Sequence, residues 1–426
     1  MNWVGCEPLD RKEIMSKSCP ILDVDPLKKA LFVDQRKATT SLRSLAKSMS
    51  DIIDLSAGDP GFDTPDHIRA AAKKAIDEGF THYVHDGLPE LKAEIANKLE
   101  RENKIGVDPQ SQVIVTNGVN EAIFLAMQTL IRPGDEVIVP NVTYQHHNQT
   151  KLAGGNPVLV GLREENEFSL KPKDVEANTT SRTRMIVVSS PHNPTGSVLN
   201  RDDLEGIAEI AVRHNLLVLS DEIYEKFVYD DSKHISIGSM PGMEDRTITM
   251  NGFSKAYGMT GWRVGYIAAS KNIIDLIHGF HRYVTLSGNS VAQKAAVAAL
   301  RGPQEAVTEL VRKCDAGRRI LVDGLSTVNG VHCCLPKGTF FAYPNVKKLG
   351  STSYEVAKRL LNEARVLVHP GTNFGEGEGY LRVSYHLPRP VLNEAVMRIE
   401  TAVDKWKGPG SSQNGPGTGR SLSYHL

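Results

Sequence analysis

The sequence predicts an α/β fold: a three-layer sandwich around a mostly parallel central sheet, with a smaller α+β domain packed against it. Two observations predict this. Between about residues 110 and 270, short β-branched runs alternate with amphipathic helical stretches. These runs are continuously apolar, as expected of strands buried on both faces between helices. After about residue 305 the pattern changes to one long helical stretch followed by isolated strand-like segments. A chain of 426 residues is long enough for one large and one small domain.

Residues 1–34 show weak periodicity and several breakers, and are expected to form an extension or arm. Residues 35–58 and 305–407 are assigned to the small domain, and 59–304 to the large one. Thr64-Pro65 reads as an N-cap with proline at N1, starting the helix DHIRAAAKKAI. Strands are expected at VIVT (113–116), EVIVP (136–140), PVLVGL (157–162), RMIVVSS (184–190), LLVLSD (216–221), TITM (247–250) and RVGYIAA (263–269). Helices such as RDDLEGIAEIAVRHN lie between them, and a long helical stretch reaches Leu325. The last stretch, 408–426, is rich in Gly, Ser and Pro and is expected to be disordered.

Composition narrows the function. Lys plus Arg equals Asp plus Glu at 50 each, so the formal net charge is zero. That balance points away from nucleic acid and membrane surfaces, and any anion site must be built locally. No apolar run approaches the roughly 20 residues of a membrane helix, and the start MNWVGCEPLDRKE lacks the apolar core of a signal peptide. The five cysteines, Cys6, Cys19, Cys314, Cys333 and Cys334, include no CxxC pair. They read as reduced thiols in a cytoplasmic protein, and no metal is expected.

The segment TITMNGFSKAYGMTGWRVGYIAA (247–269) carries the chemistry. It begins as a strand, breaks at Asn251-Gly252 and returns to a strand after Gly261. Lys255 sits in the turn and Arg263 at the start of the second strand. Small residues beside one lysine, followed by a fixed arginine, suit an amine that forms a Schiff base and a guanidinium that clamps a phosphate.

SKAYGMTGWRVGY resembles the cofactor-lysine motif of class I/II pyridoxal-phosphate-dependent aminotransferases, the aspartate aminotransferase superfamily. Three further segments match that family in its order: SSPHNPTGSVL (189–199), LLVLSDEIYEKF (216–227) and GYLRVSYHL (379–387). The resemblance spans roughly residues 50–405. It implies the fold type I architecture and pyridoxal 5'-phosphate (PLP) carried as a Schiff base on Lys255. It also implies amino transfer between an L-amino acid and a 2-oxo acid. By the same resemblance Asp221 faces the cofactor's ring nitrogen, Asn193 and Tyr224 hold its phenolic oxygen, and Arg382 grips the substrate α-carboxylate. Gly58, in SAGDPGFDTP, offers its backbone to that carboxylate.

The strand-to-helix junction TNGVNEAIF (116–124) is expected to cup the phosphate with the backbone amides of Gly118, Val119 and Asn120. Arg263 adds charge there. Tyr83 matches a family tyrosine that reaches the phosphate of the neighbouring subunit, which implies a homodimer with a shared site. Tyr144 is the candidate for stacking on the cofactor ring, although Val142 stands nearer the family's usual slot. His146 and His147 are unusual at this place, and solvated loop histidines are the ordinary outcome.

The chemistry fits these residue types. PLP is an electron sink for a carbanion at Cα, and a carboxylate at a buried strand end keeps its ring nitrogen protonated. A lysine near cations and partly desolvated acquires a pKa low enough to move a proton, which arginine cannot do. The alternative on the same scaffold is another PLP reaction: elimination, decarboxylation or oxidation. A cofactor-binding regulator fused to a DNA-binding domain is a further class. The 34-residue extension is too short and insufficiently basic for that.

Overall fold

The computed structural model describes residues 36–406, with side chains from residue 42 onward. The arm at 1–34 and the tail at 408–426 lie outside the described residues. The first elements are α1 (Arg36–Lys47), β1 (Ile53–Asp54), α2 (Asp66–Asp77), α3 (Pro89–Lys98), β2 (Val113–Thr116), α4 (Val119–Leu130), β3 (Glu136–Pro140) and α5 (His146–Leu152). There follow β4 (Asn156–Val160), α6 (Pro172–Ala177), β5 (Thr183–Ser189), α7 (Arg201–Arg213), β6 (Leu217–Asp221), β7 (Thr247–Gly252) and β8 (Gly265–Ala268). The last are α8 (Lys271–Val284), α9 (Ser290–Arg301), α10 (Glu305–Thr327), β9 (Phe341–Ala342), α11 (Ser353–Arg359), β10 (Val366–Leu367), β11 (His369–Pro370), β12 (Leu381–Ser384) and α12 (Arg389–Trp406).

Seven strands form one sheet in the order β2-β8-β7-β6-β5-β3-β4. All neighbours are parallel except at β8, which runs antiparallel to both β2 and β7. The continuous apolar runs have a direct cause. Ile186 and Val188 of β5 pack into one core, while Met185 and Val187 pack into the core on the opposite face. Helices cover both faces, so neither set can be polar.

The predicted strands agree with the observed ones to within two residues. The predicted break at Asn251-Gly252 falls differently: β7 continues through Gly252, which pairs with Gly265 of β8. A Cβ on Gly252 would lie 2.9 Å from the Val264 carbonyl oxygen, so glycine permits this close crossing. Thr64 is not a helix cap. Pro65 takes that position ahead of α2. The Thr64 hydroxyl instead donates to the Gly258 carbonyl at 2.7 Å and accepts from Trp262 Nε1 at 3.0 Å. These bonds pin the segment after β1 onto the turn after β7.

Beyond α10, β11-β12-β9 make a three-stranded antiparallel sheet, and β1 pairs in parallel with β10. Ser384 of β12 donates from both its amide and its hydroxyl to the Leu55 carbonyl. This ties β12 to the segment entering the large sheet. Among the described residues no helix is long and apolar enough to cross a membrane.

Candidate active site

In an open parallel sheet, strand carboxyl ends form a crevice that collects ligand-binding groups. Here β2, β5, β6 and β7 all end at one edge: Ser189 is in register with Asp221, and Asp221 with Met250. A cavity of about 910 Å³ opens there, reached also by α1 and β12. Gly58, Val119, Asn120, Tyr144, Asn193, Asp221, Tyr224, Lys255, Arg263 and Arg382 line it. Among the sequence-predicted residues, Gly118 lies against it as the cap of α4, and Tyr83 lies elsewhere.

Lys255 stands in the turn after β7, and its Nζ donates to the Gly58 carbonyl at 2.7 Å. Burial lowers its pKa to about 8, and Arg382 and Arg263 push it the same way against Asp59 and Asp221. The neighbouring Thr260 hydroxyl donates to Asp59 Oδ2 at 3.0 Å, holding the Gly58 loop over the lysine turn.

Asp221 ends β6, and no helix follows it, so it does not serve as an N-cap. Behind it lies His146, whose Nε2 is 3.5 Å from Asp221 Oδ2 and whose Nδ1 is hydrogen-bonded to the Thr143 hydroxyl at 2.7 Å. His146 is buried, not a solvated loop residue. The chain enters α5 after five intervening residues beyond β3, with His146 as its first residue, which places the ring near the sheet edge. His147 is also largely withdrawn from water. Burial, then Lys151 and His146, lower its pKa to about 4. Two adjacent histidines in the segment after β3 were the one available signal for this arrangement.

Gly118 caps α4 with φ 81° and contributes no side chain to the helix's first amides. A Cβ there would sit 2.6 Å from Arg263 Nη2. Arg263 donates from Nη1 to the Thr260 carbonyl and from Nη2 to the Asn117 carbonyl, both at 3.0 Å. A guanidinium beside an uncapped helix N-terminus forms an anion cradle. Ser189, Ser254 and Thr260 add hydroxyls to the lining; sequence reasoning assigned them no role.

Arg382 on β12 is buried. Its Nη1 donates to Asn193 Oδ1 at 3.2 Å and its Nη2 to the Ser56 carbonyl at 3.0 Å. Its Nε is buried without a partner. Phe341 and Phe374 hold the guanidinium from ring centroids at 4.0 and 4.7 Å. Burial lowers its pKa to about 10, which leaves it charged at neutral pH. Tyr224 is buried nearby, and burial raises its phenol well above the usual range despite Arg382.

Tyr144 lines the cavity and remains 41% exposed. Val142 is buried and bridges to Gly375 instead. Tyr83 is 74% exposed in a loop outside the cavity. Arg43, Ser44 and Lys47 of α1, with His369 and Asn373, also line the cavity. Nothing local in the sequence marks those five, because their segments meet the sheet edge only after folding.

Comparison with known proteins bears on this constellation. The family model of aminotransferase class I and II matches residues 50–399. The chain is similar to the aspartate aminotransferase of Pyrococcus abyssi, 43% identical, covering 86% of this chain and 95% of that one. It is similar to aromatic-amino-acid aminotransferase 2 of Thermococcus litoralis, 41% identical over the same shares. Among solved structures, the aspartate aminotransferase from Thermus thermophilus with maleate matches at a TM-score of 0.83 and 34% identity, covering 89% of this chain and 99% of that one.

Proposed function

The chain belongs to the class I and II aminotransferases and is a PLP-dependent enzyme that moves an amino group between an amino acid and a 2-oxo acid; on this premise we propose that Lys255 is its cofactor lysine and that its preferred amino acid carries a second carboxylate. The observation that carries the first part is the convergence of Lys255, Asp221, Arg263 and Arg382 on one cavity.

The residues fit the coenzyme. The cradle of Gly118 and Arg263 is shaped for a phosphate, with Val119, Asn120 and Ser254 beside it. Asp221, backed by His146, suits a protonated ring nitrogen, and Asn193 and Tyr224 suit the phenolic oxygen. Tyr144 is the residue we assign to the ring face. When bound, the coenzyme supplies the electron sink that makes the substrate's Cα–H acidic. Arg382, which lines the cavity, orients the α-carboxylate with its guanidinium. The Lys255 amine, with a pKa near 8, takes a proton from Cα and returns one during the same turnover.

The second part rests on charge. Five cationic side chains line the cavity, Arg43, Lys47, Lys255, Arg263 and Arg382, against one carboxylate, Asp221. Phosphate and α-carboxylate occupy Arg263 and Arg382, and Lys255 is tied to the cofactor. Arg43 and Lys47 are then left for a third anionic group. The aspartate aminotransferase names among the relatives agree with this. Both cations are exposed, so a charge-assisted hydrogen bond of ~1.5–3 kcal/mol is discounted to about tenfold in rate. Replacing both Arg43 and Lys47 by Gln is therefore expected to lower kcat/KM for aspartate and glutamate about tenfold and leave alanine unchanged. An equal loss for all three amino acids would refute the assignment.

We also propose a homodimer. Tyr83 at 74% and Tyr283 at 92% exposure, with Leu276 and Leu286, form an uncovered apolar surface. It is firmly built: the Val84 amide donates to Ser287 Oγ at 2.8 Å, and His278 Nε2 meets Asp86 at 2.6 Å. Monomers seldom leave such a patch open. The small domain is taken as 35–58 with 305–407, around the large domain at 59–304. A cytoplasmic location agrees with free thiols at Cys314, Cys333 and Cys334.

A further inference from the structure

We propose that Glu164, His332 and Cys334 form a binding site for a divalent ion of the zinc type, away from the active-site cavity. One donor atom from each of the three residues lies within 4.8 Å of the other two. Glu164 Oε1 is 2.6 Å from His332 Nδ1, and the Cys334 thiol faces the Glu164 backbone. Carboxylate, imidazole and thiolate together are the donor types of a borderline ion, and three protein ligands leave a fourth position for water.

The arrangement is prepared from behind. Glu164 Oε2 accepts from Asn345 Nδ2 at 2.7 Å and from the Tyr380 hydroxyl at 3.1 Å, which turns Oε1 toward His332. The Tyr380 ring is itself fixed, stacked on Tyr343 at 4.9 Å and meeting Phe168 edge-on at 5.7 Å. His332 and Asn345 exchange backbone hydrogen bonds of 3.0 and 2.7 Å. Groups that orient a ligand in this way raise metal affinity. His332 is open to solvent, so an ion has a way in.

Charge favours occupation. The nearby lysines are engaged elsewhere: Lys337 with Glu167 at 2.6 Å, and Lys347 over the Tyr380 ring at 4.5 Å. A second cluster, Glu222, Glu225 and His234, provides the contrast. Its carboxylate oxygens already accept from Lys98, the Ser220 and Ser236 hydroxyls and Asn103, which occupies the lone pairs an ion would need. An ion on Glu164, His332 and Cys334 would brace the loop after β4 against the segment after α10.

The test is titration of dialysed holoenzyme with zinc chloride, and with cobalt chloride as the coloured probe. One ion per chain is expected, with the visible bands of four-coordinate cobalt and a raised Tm. Cys334→Ser and His332→Ala should each weaken binding by about tenfold or more. Glu164→Gln should do the same, and Cys333→Ser should not. Metal-free turnover should be the same in all four variants, since none touches the cavity, and this also checks that they fold. Absence of stoichiometric uptake at micromolar metal overturns the proposal, as does uptake that survives both Cys334→Ser and His332→Ala.

Discussion

Adding one methyl group at Gly118 tests the phosphate cradle. At φ 81° and ψ 169° an alanine is strained, at a cost of ~1–3 kcal/mol. That strain is present with or without cofactor, so it lowers folding stability and cancels from binding. The second effect does not cancel. The new Cβ would stand 2.6 Å from Arg263 Nη2 and 3.1 Å from Cζ. An ordinary contact near 3.5 Å then requires the guanidinium to retreat by about 1 Å. The bond from Nη2 to the Asn117 carbonyl breaks, and the group is drawn off the phosphate. A charge-assisted hydrogen bond contributes ~1.5–3 kcal/mol, and each 1.4 kcal/mol is a factor of ten, so Gly118→Ala should weaken PLP binding about 10- to 100-fold. Equilibrium dialysis of the cofactor-stripped protein measures this, with unphosphorylated pyridoxal as the control ligand. Pyridoxal should bind the variant as well as it binds the parent. Equal loss for both ligands, or PLP affinity within a factor of two of the parent, would show that the cradle does not hold the phosphate.

Two further outcomes follow from groups already described. In the cofactor-stripped protein the Lys255 pKa is lowered to about 8, so its neutral amine accumulates as pH rises through 8. The rate of PLP capture should rise with that midpoint, and Arg382→Leu, which removes the second-largest cause, should move it upward; a midpoint near the ordinary lysine value in the parent protein would contradict this. The sign for folding is consistent: a lysine depressed in the folded state contributes its full stability only above its unfolded pKa, and loses it as pH falls through the folded value near 8. At the apolar surface, Tyr283→Asp should shift sedimentation from dimer toward monomer, and should lower turnover in parallel if Tyr83 reaches the partner's site. A parent protein that sediments as a monomer at micromolar concentration would remove the dimer proposal.

The sequence by itself determined the strands, because burial on both faces forces a continuous apolar run that is readable without knowing the partner. It also named ten of the residues that line the cavity, including Lys255, Asp221, Asn193, Tyr224, Arg263 and Arg382, because each of these six sits in a short motif at the end of a strand or within one. Only the tertiary structure decided what meets those groups. His146 beneath Asp221, Arg43 and Lys47 over the cavity, and the Thr64 hydroxyl on the lysine turn come from segments with no local mark of their destination. Glu164 and the pair His332 and Cys334 stand 168 positions apart at their hydrogen bond, so no spacing rule for metal ligands could join them. Elements follow from short-range sterics and burial, whereas encounters between distant side chains depend on how the finished sheet and helices pack.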